Sequence, residues 1–246
     1  MKKSIFWGLG LILLIVTVIV FPIKTGASSV EIEKETMKEI GTPHVLIQYN
    51  SIPKVCTRTT NDQVNHFGWG GWKLQSGITD YRVNFNTLPV GVSRQMAEAS
   101  IDLSFSNLQG AGGGILFHNA GETSVANPAD DGQNAIFWRN LPASYVAVTY
   151  IWTDGHGRLK DADTIFNRRY SWAYTGYNGQ NDCNGKKGAF DLRDIATHEF
   201  GHWMGLGDLY DSGSKDLTMY GYASRSELKK DTLGLGDITG VRAVWP

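Results

Sequence analysis

The chain has few cysteines, no cluster of basic residues and no repetitive segment. Each absence excludes some classes of protein to which the chain could belong. Its 246 residues include two cysteines, so one disulfide at most can form within the chain. Lysine and arginine are scattered and the formal net charge is −1, which argues against a nucleic-acid partner. Internal repeats, low-complexity stretches and a second compositional block are also lacking. We therefore expect one folded domain with its own core.

The N-terminus combines a basic start with a long apolar run. Lys2 and Lys3 precede an apolar stretch at residues 5–21, and the small residues Thr25-Gly26-Ala27 follow it. This order is typical of a secretory signal peptide, with cleavage expected after residue 27. The run is also about as long as a short membrane span, so an uncleaved anchor remains an alternative. Both interpretations place the folded part outside the cell, either secreted or anchored to the outer face of the membrane.

The remaining residues divide into a short segment and one domain. Loss of residues 1–27 removes three lysines and no acid, so the net charge would move from −1 to −4. Residues 28–41 are charged and favour helix, which is typical of a linker or a short pro-segment. Residues 42–246 are expected to form the domain, which we predict to be monomeric.

The two cysteines, Cys56 and Cys183, are predicted to form a disulfide, because an exported protein folds in an oxidising compartment. Closing so long a loop would contribute about 4–5 kcal/mol in the chain-entropy model.

The most informative segment reads H-E-x-x-H-x-x-G-x-x-D and runs from His198 to Asp208. Histidines four residues apart lie on one face of a helix, so His198 and His202 can bind one metal ion. Glu199 lies beside them, within reach of a water on that ion. Gly205 can adopt the left-handed conformation that ends a helix and turns the chain back, which would bring Asp208 in as a third ligand. Three protein ligands and one open position are typical of a catalytic zinc.

The third ligand has two alternatives. Asp211 lies three residues beyond Asp208, and a water could complete the set instead. The first five residues of the motif also arise by chance on ordinary amphipathic helices, so the glycine and the aspartate carry much of the argument.

A second motif follows at Leu217-Thr218-Met219-Tyr220-Gly221-Tyr222. Together with the long histidine motif it resembles the metzincins, a clan of zinc endopeptidases in which a tight turn places a methionine beneath the metal. The aspartate at the third position resembles the snapalysin variant and some bacterial matrixin-like proteins. The resemblance covers about residues 40–246 and implies that His198, His202 and Asp208 bind zinc, with Gly205 and Met219 in structural roles.

The resemblance implies an α+β (mixed α/β) zincin fold, with a twisted, mostly parallel sheet, an active-site helix, the methionine turn and a C-terminal helix. The residue patterns agree with such a composition. Apolar alternation predicts strands at 45–49, 81–86, 115–118, 135–138 and 146–152, and helical spacing predicts helices at 92–108, from 191 through the histidine motif, and at 236–244.

The function implied by the resemblance is that of a secreted zinc metalloendopeptidase acting on a protein or peptide substrate. Zinc would activate a water, and Glu199 would act as general base in hydrolysis of internal peptide bonds. The substrate would lie extended along a sheet-edge strand, with residues 220–223 lining the pocket after the cut. Tyr222 is one position beyond the tyrosine that astacins and serralysins use, so we predict a packing role for it.

Two other functions remain open: an exported, non-catalytic binding or wall-associated module of the same fold, and a zinc hydrolase of another surface polymer. The intact Glu199 argues against pure binding, which needs no general base.

Further metal sites have weaker support. Asp154, Asp161 and Asp163 share a loop-rich region where oxygen ligands could hold calcium, although their spacing is irregular and solvated turn acids are the simpler interpretation. A second, structural zinc of the matrixin type needs several histidines nearby, and only His156 is present, so we expect that site to be absent.

Overall fold

The computed structural model describes residues 41–51, 62–75, 77–112, 114–176 and 183–245. Within these ranges no helix is long and apolar enough to span a membrane. The described elements are, in chain order, β1 (His44–Asn50), β2 (Gly68–Trp69), β3 (Ile78–Val83), α1 (Arg94–Gly110), β4 (Leu116–Glu122), β5 (Ala135–Arg139), β6 (Tyr145–Thr153), β7 (Leu159–Asn167), β8 (Trp172–Ala173), β9 (Phe190–Asp191), α2 (Leu192–Trp203), β10 (Leu206–Gly207), β11 (Tyr222–Ala223) and α3 (Leu235–Val244).

The central layer is a seven-stranded sheet with the order β11-β1-β6-β7-β5-β3-β4. Four of its six pairings are parallel: β11 with β1, β7 with β5, β5 with β3, and β3 with β4. Strand β6 runs antiparallel to both of its neighbours, β1 and β7. The described chain is therefore mixed α/β with a mostly parallel sheet, which agrees with the predicted fold class at this level.

Alternation along the strands sends successive side chains to opposite faces of the sheet. Ile136 and Trp138 of β5 join the main core with residues of α1 and α2, whereas Ala135 and Phe137 belong to a smaller cluster. Phe105 of α1 stacks on Phe200 of α2, with ring centroids 4.0 Å apart and planes 5° from parallel. This aromatic contact packs the two helices together in the main core.

Most elements predicted from the residue patterns are present, with small shifts at their ends. Helix α1 begins after Ser93, whose hydroxyl accepts the Met96 amide at 3.1 Å and so caps the helix. The strand predicted at 81–86 is wrong at its C-terminal end, because Phe85–Thr87 form a 3₁₀ turn. The Asn84 side chain accepts the Asn86 amide and favours that turn over an extended chain.

The chain reverses after α2 at Gly205, as the motif predicts. Gly205 has a φ of +92°, and its amide donates to the His202 carbonyl at 2.9 Å. A Cβ atom at this position would lie 2.3 Å from the Trp72 carbonyl oxygen. Both the left-handed backbone and the close approach of another chain segment therefore require glycine here.

We predict that Gly205→Ala destabilises the protein more than Gly91→Ala does. Gly91 has a similar φ of +89° but open space where a Cβ would stand, so it isolates the backbone strain. That strain costs about 1–2 kcal/mol, and the overpacking at Gly205 raises the loss to about 2–5 kcal/mol. Urea unfolding of the two variants measures the difference. Equal losses would show that the contact with Trp72 relaxes at no cost.

Candidate metal centre

Helix α2 carries the first two predicted ligands in a wholly buried segment. Asp191 caps its N-terminus, and its carboxylate accepts the amides of Arg193 and Asp194 at 3.0 and 3.2 Å. Their spacing of four places His198 and His202 on one face of the helix, with ring centroids 4.9 Å apart. Neither imidazole has exposed surface.

Both imidazoles are oriented by backbone carbonyls. Nδ1 of His198 lies 2.7 Å from the Thr218 carbonyl oxygen, and Nδ1 of His202 lies 2.8 Å from that of Leu206. A carbonyl oxygen only accepts, so each Nδ1 must donate. In the neutral ring the proton is then on Nδ1, and Nε2 presents a lone pair to the site. This is the arrangement that metal-binding histidines adopt.

Asp208 completes a three-atom cluster with the two histidines. Its Oδ1 lies 3.2 Å from Nε2 of His198 and 3.7 Å from Nε2 of His202. All three atoms lie within 4.8 Å of one another. Tetrahedral zinc with bonds of about 2.0–2.1 Å separates its ligand atoms by about 3.3 Å, so the two distances from Asp208 to the histidines are close to those around such an ion. Among the described residues, no second group of three such side chains comes equally close together.

The charge states of the cluster suit a cation. Burial lowers the pKa of His198 to about 4 and also lowers the pKa of His202. Burial opposes ionisation of Asp208, but the two histidines outweigh it and lower the pKa of that carboxyl. At neutral pH two neutral imidazoles and one carboxylate therefore face one another. All three ligand atoms are then acceptors, so they cannot form hydrogen bonds with one another. A bound metal ion would interact favourably with all three.

The two candidate aspartates lie in different surroundings. Asp208 directs Oδ1 at the histidines, while its Oδ2 accepts the Tyr210 hydroxyl at 3.1 Å. The Asp211 side chain is about half exposed at 52 % and accepts the Ser214 amide at 3.0 Å. The geometry thus brings Asp208, and not Asp211, to the histidines.

Glu199 is buried beside the cluster and is held by a chain of hydroxyl groups. Its Oε2 accepts the Thr149 hydroxyl at 2.5 Å, and Thr149 lies 2.9 Å from the Thr164 hydroxyl. The Trp203 indole donates to Thr164 at 3.0 Å. Because an ionised carboxylate only accepts, the single Thr149 proton goes to Glu199, and Thr149 must accept from Thr164. The hydrogen bonds therefore run in one direction, from Trp203 through Thr164 and Thr149 to Glu199.

Glu199 retains one carboxylate oxygen for chemistry. Its Oε1 is buried and has no hydrogen-bond partner in the described part of the chain. Burial raises the pKa of Glu199 well above its ordinary value, the Thr149 hydrogen bond opposes that rise, and the charge of Asp208 adds to it. A carboxylate with a raised pKa and one unpaired oxygen is suited to accept a proton.

The predicted methionine turn lies beneath α2. The buried Met219 places its Sδ 2.3 Å from where a Cβ would stand on Gly201, so a larger residue at that helix position would require the sulfur to shift. Asp237 of α3 fixes the turn, accepting the amides of Thr218 and Met219 at 2.8 and 3.1 Å. The turn therefore presents the Thr218 carbonyl to His198 in a fixed position.

The buried Lys230 connects the methionine turn to α2 through two hydrogen bonds. The Lys230 ammonium donates to the Tyr220 carbonyl, and the Lys230 amide donates to the Asp194 carboxylate at 2.5 Å. Lys230 has no exposed surface, and Asp194 and Glu227 compensate its charge.

Other predicted residues have different positions. Asp161 and Asp163 are buried in β7 and accept amides of the 129–135 loop, whereas Asp154 accepts amides in its own turn and binds Arg158. The interpretation as solvated turn acids is therefore wrong for Asp161 and Asp163, which are buried and hold the loop, and calcium binding at these residues remains a prediction. The Tyr222 ring contacts Tyr49, Tyr210 and Tyr220, which agrees with its predicted packing role. Cys56 lies outside the described residues, so its pairing with Cys183 remains a prediction.

Sequence reasoning missed Thr149, Thr164, Tyr210, Gly201 and Asp237. The threonines lie inside strands, where a polar residue in an apolar run was the available signal. Tyr210 follows Asp208 by two residues, and Gly201 lies inside the histidine motif without being part of its pattern.

No protein-family model matches the chain, and a search of curated proteins finds no similar sequence. The geometry of the site therefore carries the functional argument.

We predict that Asp208→Asn weakens zinc binding by about 100-fold or more, because it replaces a charged ligand with a neutral amide. The matched control, Asp211→Asn, should leave the affinity within about twofold, since its side chain is half exposed and binds the Ser214 amide outside the three-atom cluster. Competition with a fluorescent chelator measures both affinities. A stronger effect at Asp211 would contradict the assignment of Asp208.

Proposed function

We propose that this chain is a zinc-dependent endopeptidase of the metzincin type. The observation that carries the proposal is the convergence of His198, His202 and Asp208 beside the Glu199 carboxylate. The buried methionine turn beneath α2 adds to it, because that motif was expected from the same resemblance. A site that only bound metal would have no need for a buried carboxylate with one free oxygen.

The two-nitrogen, one-oxygen donor set suits zinc better than calcium or magnesium, which prefer all-oxygen sites. When bound, zinc would supply a Lewis acid that polarises the scissile carbonyl and makes a water nucleophilic near neutral pH.

Glu199 is proposed as the general base. It would accept the proton of the attacking water on Oε1 and then pass it to the departing amine. The Thr149 hydroxyl would hold Oε2, so that the other oxygen keeps one direction through both transfers. Burial of the whole group would exclude bulk water from competing for that proton.

Peptides and proteins are the proposed substrates. Export follows from the N-terminal segment, whose residues lie outside those described, so secretion and membrane anchoring both remain proposals. Aspartate as the third ligand donates more charge to the ion than histidine would, and we expect a shifted pH optimum with activity retained.

We predict that Glu199→Gln retains zinc but loses peptide hydrolysis by about 10²- to 10⁴-fold, the usual contribution of a general base. The amide can still accept the Thr149 hydrogen bond, so the fold should be unchanged. Hydrolysis of a mixed unfolded-protein substrate, with zinc content determined for both chains, measures this. Undiminished cleavage by the zinc-loaded variant would refute the mechanism.

We predict that Thr149→Val moves the acidic limb of kcat/KM to higher pH. Glu199 must be ionised to act as a base, and removing the hydroxyl removes a contact that lowers its pKa. A hydrogen bond to a charged group contributes about 1.5–3 kcal/mol, so activity on that limb should fall roughly tenfold to hundredfold. Thr149→Ser keeps a hydroxyl and should retain the limb of the unaltered chain. A pH–rate profile of the three proteins measures the shift, and coincident profiles would contradict it.

A further inference from the structure

The candidate site is closed to a polypeptide in this structure. His198, Glu199 and His202 have no exposed surface, and the Asp208 side chain is 8 % exposed. Hydrolysis of an internal peptide bond needs a strand of substrate beside these groups. One of the walls around the site must therefore move.

Two walls of the site are built from the sheet and the methionine turn. Strand β6 provides Thr149, which binds Glu199, and the segment at 218–223 provides the Thr218 carbonyl, which binds His198. Strand β1 lies between them, antiparallel to β6 and parallel to β11. Its amides donate to both sides: Tyr49 to Gly221 at 2.9 Å, Asn50 to Ser144 at 2.9 Å and Ser51 to Ala223 at 2.7 Å.

Two side chains of β1 share the face of the sheet on which Thr149 binds Glu199. Leu46 lies opposite Thr149 in the register and packs against the main core. Gln48 lies opposite Ala147, two residues along β6 from Thr149 and therefore on the same face of the sheet. Gln48 is fully buried. An extended segment of this chain thus lies beside the candidate site, with main-chain bonds on both edges and with Leu46 and Gln48 on the face of the sheet that carries Thr149.

Of β6, the methionine turn and β1, strand β1 is the one suited to leave. Strand β6 is an interior strand that β7 holds on its other edge, and Asp237 fixes the methionine turn. Strand β1 carries a penalty in its docked position, because neither amide atom of Gln48 finds a hydrogen-bond partner among the described residues. Burying an unpaired amide is unfavourable, and undocking returns it to water.

We infer that β1 occupies the channel in which a substrate would lie, and that the protein is latent until this strand is displaced. The displacing ligand would be an extended peptide that runs antiparallel to β6 and parallel to β11. This peptide is a substrate only if the proposed function holds. The strand binds by the edge pairing through which extended peptides add to sheets.

Strand β1 competes strongly with an added peptide because it is covalently tethered to the domain that carries the site. A segment of the same chain competes at an effective concentration on the order of millimolar. The apparent affinity for an added peptide is therefore reduced by the small fraction of molecules whose channel is open. Weakening the docking of β1 should restore that affinity without touching Glu199 or the metal ligands.

The test compares Leu46→Asp with its neighbour Val45→Asp in the full chain. Leu46 faces the core, whereas Val45 is 46 % exposed, so the same charge disfavours docking only at position 46. The probe is a fluorescein-labelled peptide with the sequence of residues 44–51, followed by anisotropy. We expect the Kd for Leu46→Asp to be at least tenfold lower than for Val45→Asp and the unaltered chain, with circular dichroism and zinc content unchanged.

The outcomes separate this inference from the proposed function. Tighter binding, without hydrolysis of either the peptide or an unfolded-protein substrate by any zinc-loaded chain, would support the displaced strand and refute the protease. Hydrolysis by all three chains at one rate, with equal Kd values, would overturn the inference and leave the protease standing.

A second measurement needs no variant and applies if Leu46→Asp fails to fold. Excess unlabelled peptide is added to the unaltered chain and amide hydrogen exchange is followed. The amides of Tyr49 and Ser51 should lose protection while those of β7 keep theirs. Unchanged protection of Tyr49 and Ser51 at saturating peptide would overturn the inference.

Discussion

Three lone pairs directed at one point in a buried site repel one another, and the structure around α2 depends on holding them there. Nε2 of His198, Nε2 of His202 and Oδ1 of Asp208 are all acceptors once each Nδ1 has donated to a carbonyl. Without a cation this arrangement is unfavourable, because burial removes the water that would otherwise solvate each atom. The folded chain thus carries a local cost that binding of a metal ion would offset, so metal affinity and folding stability are coupled here.

The contacts that hold the ligands come from segments that follow α2 in the chain. Thr218 orients His198 from the methionine turn, Leu206 orients His202 from the segment after the helix, and Tyr210 binds the outer oxygen of Asp208. Asp237 of the C-terminal helix holds the methionine turn by accepting the Thr218 amide. None of these partners is itself a ligand. The geometry of the site therefore depends on the segments between α2 and α3, and α2 alone would not reproduce it.

The ligands could be predicted from sequence because their signal is local. A spacing of four on a helix, a glycine that ends it and an aspartate after the turn all lie within eleven residues. Thr149 could not be found in this way, since it lies fifty residues from Glu199 and in a strand pattern that an apolar residue would serve equally well. The mostly parallel sheet was predicted correctly in kind, but no local pattern indicates that residues 44–50 pair with β6 about a hundred residues later. The strand predicted to reach residue 86 was wrong because a single Asn side chain redirects the backbone after Val83.

The contact between Gly201 and Met219 has a consequence for the history of this sequence. A side chain at position 201 would occupy the volume of the methionine sulfur, so a larger residue there requires the sulfur to move or a smaller residue at position 219. Relatives of this chain that diverged beyond recognition in overall sequence should therefore vary at the two positions together, with a smaller residue at the turn wherever the helix carries more than glycine. Such a covarying pair, combined with the histidine spacing, is a more discriminating search pattern than the histidine motif alone.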